Sequence, residues 1–122
     1  MPAPDLQHLR LSRAGEVVII EVVTKSLQGP ALAQEFGAEL REVAAQEWAK
    51  RLLVDFRKVH YLSSTGFAVL FKVALEIKEA GGEMKLCGMD QQLRLGADIV
   101  HLDTVVEIHE NEAAALKSFT AA

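Results

Sequence analysis

The chain has 122 residues, half of them hydrophobic and a quarter charged, with a formal net charge of −4. That suffices for one globular core and excludes a disordered composition. The acidic balance argues against direct nucleic-acid binding, the lone cysteine excludes an internal disulfide, and no apolar run approaches the roughly 18 residues of a membrane span.

The start, Met1-Pro2-Ala3-Pro4-Asp5, carries no basic segment and no signal-peptide core, so a cytoplasmic location is expected. Leu9 and Leu11 alternate with Arg10 and Ser12, which predicts a half-buried strand. Ala14-Gly15 turns the chain into Val17-Val18-Ile19-Ile20-Glu21-Val22-Val23, whose β-branched, nearly all-apolar run suits a central strand. The two strands fit a hairpin around Gly15. Ser26 to Pro30 is expected to be loop, with Pro30 in the first turn of a helix. Leu32, Phe36, Leu40 and Val43 then recur at helical spacing, with Glu35, Glu39, Arg41 and Glu42 on the other faces, to about Gln46. Trp48 packs at the end of that helix.

Arg51-Leu52-Leu53-Val54-Asp55-Phe56 predicts a short buried strand. A second helix is expected from about Thr65 to Ala80, ended by Gly81-Gly82. Met84 to Gly88 is a further strand, in which Cys87 serves as a small buried hydrophobe. Gln91 to about Ile99 predicts a helix capped by Asp90, and Thr104 to Ile108 a last strand. Asn111 caps a final helix with Ala113, Leu116 and Phe119 inward. Strands alternating with such helices imply parallel neighbours and right-handed crossovers. The fold class is therefore α/β: a mixed β-sheet flanked by α-helices, one domain over 1–122 with its core at about 7–119.

The chemistry gathers where Val59-His60-Tyr61-Leu62-Ser63-Ser64-Thr65-Gly66-Phe67 joins a strand to a helix. Three successive hydroxyls at a helix start have two uses. One is capping, in which a hydroxyl accepts a free N–H of the first turn. The other is modification, because a phosphoryl group at a helix N-terminus meets free donors and a partial positive charge. The helix that follows is apolar over an arc far wider than the roughly 100° a surface helix needs. Val69, Leu70, Val73, Ala74, Ile77 and Ala80 form its main face, flanked by Phe67, Phe71 and Leu75. Phe67, beside the hydroxyls, is the flank residue expected to meet a partner.

Enzyme signatures are missing from the sequence. No Gly-x-Ser-x-Gly elbow, Gly-x-x-x-x-Gly-Lys loop or Gly-x-Gly-x-x-Gly fingerprint occurs. His8, His60, His101 and His109 lack metal-ligand spacing, so neither a metal nor a cofactor is expected. Asp55 either meets the partner, assists a metal at the reacting group, or caps a loop N–H. Arg57 and Lys58 either pair with a phosphoryl group or with acids of a partner, or stay solvated.

The order of elements resembles the STAS domain of sulfate transporters and anti-sigma factor antagonists. The resemblance rests on Leu52 to Phe56, Val59 to Leu70, Gly81 to Leu86, His101-Leu102-Asp103 with Val105 and Val106, and Asn111 to Leu116. It covers nearly the whole chain. The family pattern at the junction is Asp-Ser-(Ser/Thr)-Gly, phosphorylated on the hydroxyl before the glycine. By position that hydroxyl belongs to Thr65, with Ser64 and Ser63 as alternatives, and Ser63 stands where the family has aspartate. The resemblance implies a non-enzymatic switch. The unphosphorylated protein binds an anti-sigma factor that is a serine/threonine kinase, phosphorylation ends the binding, and a phosphatase resets it. Ser63, Ser64, Thr65, Gly66, Phe67 and Asp55 form the implied partner surface. The other reading is a scaffold or binding subunit without phosphotransfer, as in lipid-transport ATPase complexes or stress-sensing assemblies.

Overall fold

A computed structural model describes residues 5–120, the Thr120 side chain excepted. The sequence reading of residues 1–4 falls outside it. The hairpin forms as expected. Strands β1 (Leu9–Ala14) and β2 (Val17–Val22) pair antiparallel, and Gly15 supplies a φ of +61° at the first position of the two-residue turn. Helix α1 (Gly29–Ala44) follows a two-residue strand β3 (Ser26–Leu27), and β4 (Arg51–Asp55) returns parallel to β2. After β5 (Tyr61–Leu62) come α2 (Ser64–Glu79), β6 (Glu83–Cys87), α3 (Gln91–Ile99), a turn of 3-10 helix (Leu102–Thr104), β7 (Glu107–His109) and α4 (Glu112–Thr120). The main sheet runs β1-β2-β4-β6-β7, parallel except for β1, while β3 and β5 make a separate parallel pair.

Side chains alternate across a strand, so the sheet has two differently covered faces. Val18, Ile20, Val22, Leu52, Val54, Met84 and Leu86 point to the larger core, where Phe36, Leu40, Leu70, Val73, Ile77 and Leu93 of the first three helices lie on them. Val17, Ile19, Leu53 and Cys87 point the other way, onto Ala115 and Phe119 of α4. Burial on both faces explains why β2 and β4 read as continuous apolar runs.

Three elements depart from the sequence reading. Ser26-Leu27 is a short strand, not loop, because Leu27 pairs with Leu62. The expected strand over 104–108 is reduced to Glu107–His109. His101 adopts a left-handed φ of 57°, the Thr104 hydroxyl donates to the His101 carbonyl at 2.7 Å, and the Val105 and Val106 amides return to Leu102. The β-branched run is spent on that turn, and Val106 is buried without joining the ladder. In α4, Ala113 is exposed, and Ala115 and Phe119 are the buried positions. Asn111 caps the helix by accepting the Ala114 N–H at 2.9 Å, and from that start positions 115 and 119, one turn apart, face the sheet.

Candidate functional site

The β3–β5 pair builds the site. The backbone N–H of Ser63 donates to the Leu27 carbonyl at 3.1 Å, and those of His60 and Tyr61 donate to Lys25 at 2.7 and 3.3 Å. Since α1 begins just after Leu27 and α2 just after Leu62, the two helix starts lie side by side. Each adds a partial positive charge there. Neither has an acidic residue in its first turn.

Ser63 is the N-cap of α2, with extended backbone (φ −67°, ψ 164°). Its Oγ accepts the Gly66 N–H at 3.1 Å, and the residue is buried. Capping therefore falls to Ser63 alone, and Ser64 and Thr65, the first two helical residues, stand exposed. Aspartate and serine are both strong N-caps, so the serine at the family's aspartate position keeps the helix start intact. Ser63→Ala is expected to lower stability by about 1 kcal/mol, while Ser63→Asp keeps it, as read from urea-denaturation midpoints. Gly66 is pressed on the strand end, and a Cβ there would lie 2.4 Å from Leu62 Cδ1.

Four of the six residues expected on the partner surface are buried instead: Ser63 at the cap, Gly66 against Leu62, and Phe67 and Asp55. Phe67 is 6% exposed, because its ring packs on Gly96 of α3, where a Cβ would come within 2.8 Å of it. Asp55 is 2% exposed. Its Oδ1 accepts the Arg57 N–H at 2.9 Å, the loop-capping role. Arg57 and Lys58 are likewise engaged, at 3.0 and 3.2 Å from Glu21. Burial works against the Glu21 carboxylate, yet these two bonds outweigh it and hold its pKa below the usual range. Cys87 is buried, as expected, and desolvation with the nearby acids pushes its thiol up to about 12. His60 is exposed.

The exposed apolar side chains lie elsewhere. Tyr61 is half exposed just before the cap, and Leu95 and Ile99 stand out from α3, one helical turn apart. The Gly96–Phe67 contact places α3 beside the start of α2. The sequence signal was available: Leu95 and Ile99 lie on the opposite side of α3 from Leu93 and Ala97, which are buried.

A second polar arrangement escaped the sequence reading. His8 is buried, with Nδ1 against the Thr24 hydroxyl and Nε2 at 3.0 Å from Glu35. A hydroxyl–imidazole–carboxylate line serves hydrolysis only with donors for an oxyanion. The adjacent backbone donors, Gln7 N–H and His8 N–H, are both taken by Glu39. The arrangement ties the approach to β1 onto α1. Among the described residues no group of three or more His, Cys, Asp or Glu could hold a metal ion, and no helix is long and apolar enough to cross a membrane.

Fold and site together define a small α/β domain with a mixed sheet and an open, hydroxyl-bearing helix start. Residues 13–115 match the family model of the STAS domain, and the chain belongs to that family. A Bordetella bronchiseptica protein that carries the name anti-sigma factor antagonist BtrV is 29% identical over 83 residues, which are 66% of this chain and 72% of that protein. A Thermotoga maritima structure, also named for an anti-sigma factor antagonist, superposes with a TM-score of 0.78 at 16% identity, covering 90% of this chain and 92% of that one. The anti-sigma factor antagonist SpoIIAA in its unphosphorylated form gives 0.67 at 12% identity, covering 93% and 98%. Its phosphorylated form gives 0.65 at 14% identity, covering 91% and 98%. At these identities the structural likeness is one of fold.

Proposed function

We propose that this chain is a phosphorylation-switched antagonist of an anti-sigma factor, with Thr65 as the acceptor. The observation that carries the reading is the division of labour among the three hydroxyls. Ser63 is spent on the cap, which leaves Thr65 exposed before Gly66, between two helix starts that lack acidic residues. The names of the relatives and the two forms in which SpoIIAA has been solved support it.

The partner is an anti-sigma factor that is also an ATP-dependent kinase. It docks on Ser64, Thr65, Tyr61 and the exposed side of α3, and sigma factor is released. The Thr65 oxygen then attacks the γ-phosphorus of ATP, the bond to the departing ADP breaks, and the hydroxyl proton passes to a base of the kinase. Catalysis belongs to the partner. The new group carries about −1.5 to −2 charges at pH 7. The paired helix starts hold that charge on the fold, while the interface it meets was built for a neutral hydroxyl. A phosphatase returns the hydroxyl by hydrolysis.

Incubation with the cognate anti-sigma factor kinase and ATP, followed by phosphopeptide mapping, tests the assignment. Label on Thr65 is expected. No label, or label confined to Ser63 or Ser64, overturns it.

A further inference from the structure

The main sheet ends in two edges, and they are treated differently. At β7 the edge is three residues long, and the Arg94 guanidinium of α3 donates to the Ile108 carbonyl at 3.4 Å. At the other edge β1 runs for six residues, Leu9–Ala14, in unbroken register with β2. It holds no proline, no lysine and no bulge, which are common means of blunting an edge. The ladder shows which of its backbone groups are left over. Val23 donates its N–H to the His8 carbonyl at 2.8 Å, so residues 8 and 23 are a hydrogen-bonded pair. Such pairs alternate along antiparallel strands, and the backbone groups of Arg10, Ser12 and Ala14 therefore turn inward to β2. Those of Leu9, Leu11 and Arg13 turn outward, and no described residue bonds them.

We propose that this edge pairs antiparallel with the same edge of a second copy, about a two-fold axis at Leu11, and joins the two sheets into one. The strand is self-complementary in that register. Leu11 meets the partner's Leu11, and Leu9 meets the partner's Arg13, each pair exchanging two hydrogen bonds between outward-facing groups. On the side of the larger core, the half-buried Leu11 side chains cover one another at the axis. On the α4 side, Arg10 lies opposite the partner's Ser12, so no like charges stand face to face. Moving the axis to Arg10 sets two arginines directly opposite, which is destabilising. Moving it to Ser12 runs Leu9 past the end of the partner strand. Arg13 is curled onto its own turn, its Nε donating to the Gly15 carbonyl at 3.3 Å.

The contact is small. A pairing of strand edges buries less than the roughly 1,200 Å² of total surface at which stable interfaces begin, so a dissociation constant on the order of 0.1 mM is expected. No residue of the hydroxyl site belongs to β1 or β2, and the inference does not rest on the proposed switch.

Sedimentation equilibrium of the full chain, from about 10 μM to about 1 mM, reads the pairing, and a shift from monomer to dimer across that range is expected. Leu11→Pro removes one outward N–H and no bond to β2, an exchange that edge strands tolerate. It is expected to stay monomeric throughout, with the far-UV circular dichroism of the parent chain. The exposed Ser12 tests the register without touching the core. Among the described residues no ion pair ties down Arg10. Ser12→Glu therefore meets the partner's Arg10, once on each side of the axis, and is expected to tighten the dissociation constant roughly three- to tenfold. Ser12→Arg sets like charges there and is expected to weaken it by as much. Should Leu11→Pro fail to fold, the two Ser12 variants decide. A parent chain that stays monomeric throughout overturns the proposal, whether or not an extended segment of another protein takes the edge. So does a dimer that survives in folded Leu11→Pro, or one that the two Ser12 variants do not shift in opposite directions.

Discussion

Phe36→Ala lowers the stability of the fold by about 3–5 kcal/mol, the range for truncating a fully buried phenylalanine. Phe36 is completely enclosed, and its ring meets Phe56 edge-on, with centroids 6.3 Å apart at 69°. The cost of such a hole depends on how far its walls can close. Here they are already at their limit. Gly37, the next residue of α1, lies so near α2 that a Cβ on it would be 2.4 Å from Val69 Cγ1. The two helices cannot approach further to fill the space, which places the expected loss in the upper part of the range. A domain of this size has about 5–15 kcal/mol in total, so roughly a third of the margin or more is removed. Urea denaturation with an unchanged slope shows it. Phe36→Leu, which keeps most of the volume, loses no more than about 1.5 kcal/mol. A loss below about 1 kcal/mol in Phe36→Ala contradicts the rigid contact between α1 and α2.

Where the sequence was informative, one short-range rule decided the outcome. The β-branched run of β2, the helical spacing of Leu32, Phe36, Leu40 and Val43, and the caps at Asp90 and Asn111 all act within a few residues. Asp90 accepts the Leu93 N–H at 2.8 Å, and Asn111 that of Ala114 at 2.9 Å. The features that stayed hidden are decided by a distant segment. β3 and β5 have two residues each and exist because they pair with one another. Phe67 is buried because α3 offers Gly96 at the place where its ring arrives, and a small residue so far along the chain leaves no periodic trace. Thr104 is the local exception: it belongs by propensity to a strand, yet its hydroxyl closes a turn on His101, three residues back. Asp55 and Glu112 border one cleft only once β4 and α4 are in place. At the hydroxyl site, the sequence located the helix start and its residues. It left open which hydroxyl caps and which is free, and the backbone geometry at Ser63 separates them.

That separation makes the effects of Thr65→Glu on stability and on binding opposite in sign. Residue 65 is the second helical position of α2, exposed, in a first turn without an acidic side chain. A glutamate there faces the positive end of α2, with the start of α1 alongside, and is expected to stabilise the chain by about 0.3–1 kcal/mol. On an interface that accepted a neutral hydroxyl, the same charge is desolvated without a partner. The expected loss of affinity for the anti-sigma factor is about 2 kcal/mol, roughly thirtyfold. Thr65→Ala binds as the unmodified chain does and takes no label. The phosphorylated protein, with about twice the charge of glutamate, binds more weakly still. Thermal melting and titration calorimetry on the same three proteins measure both quantities. If Thr65→Glu melts lower and binds less, the fold itself has been damaged and the charge has not acted at the interface. If it melts higher and binds as before, the helix start is open to anions but is not the surface that the anti-sigma factor reads. Only a rise in melting temperature together with a fall in affinity is the behaviour of a switch whose fold survives the change of charge.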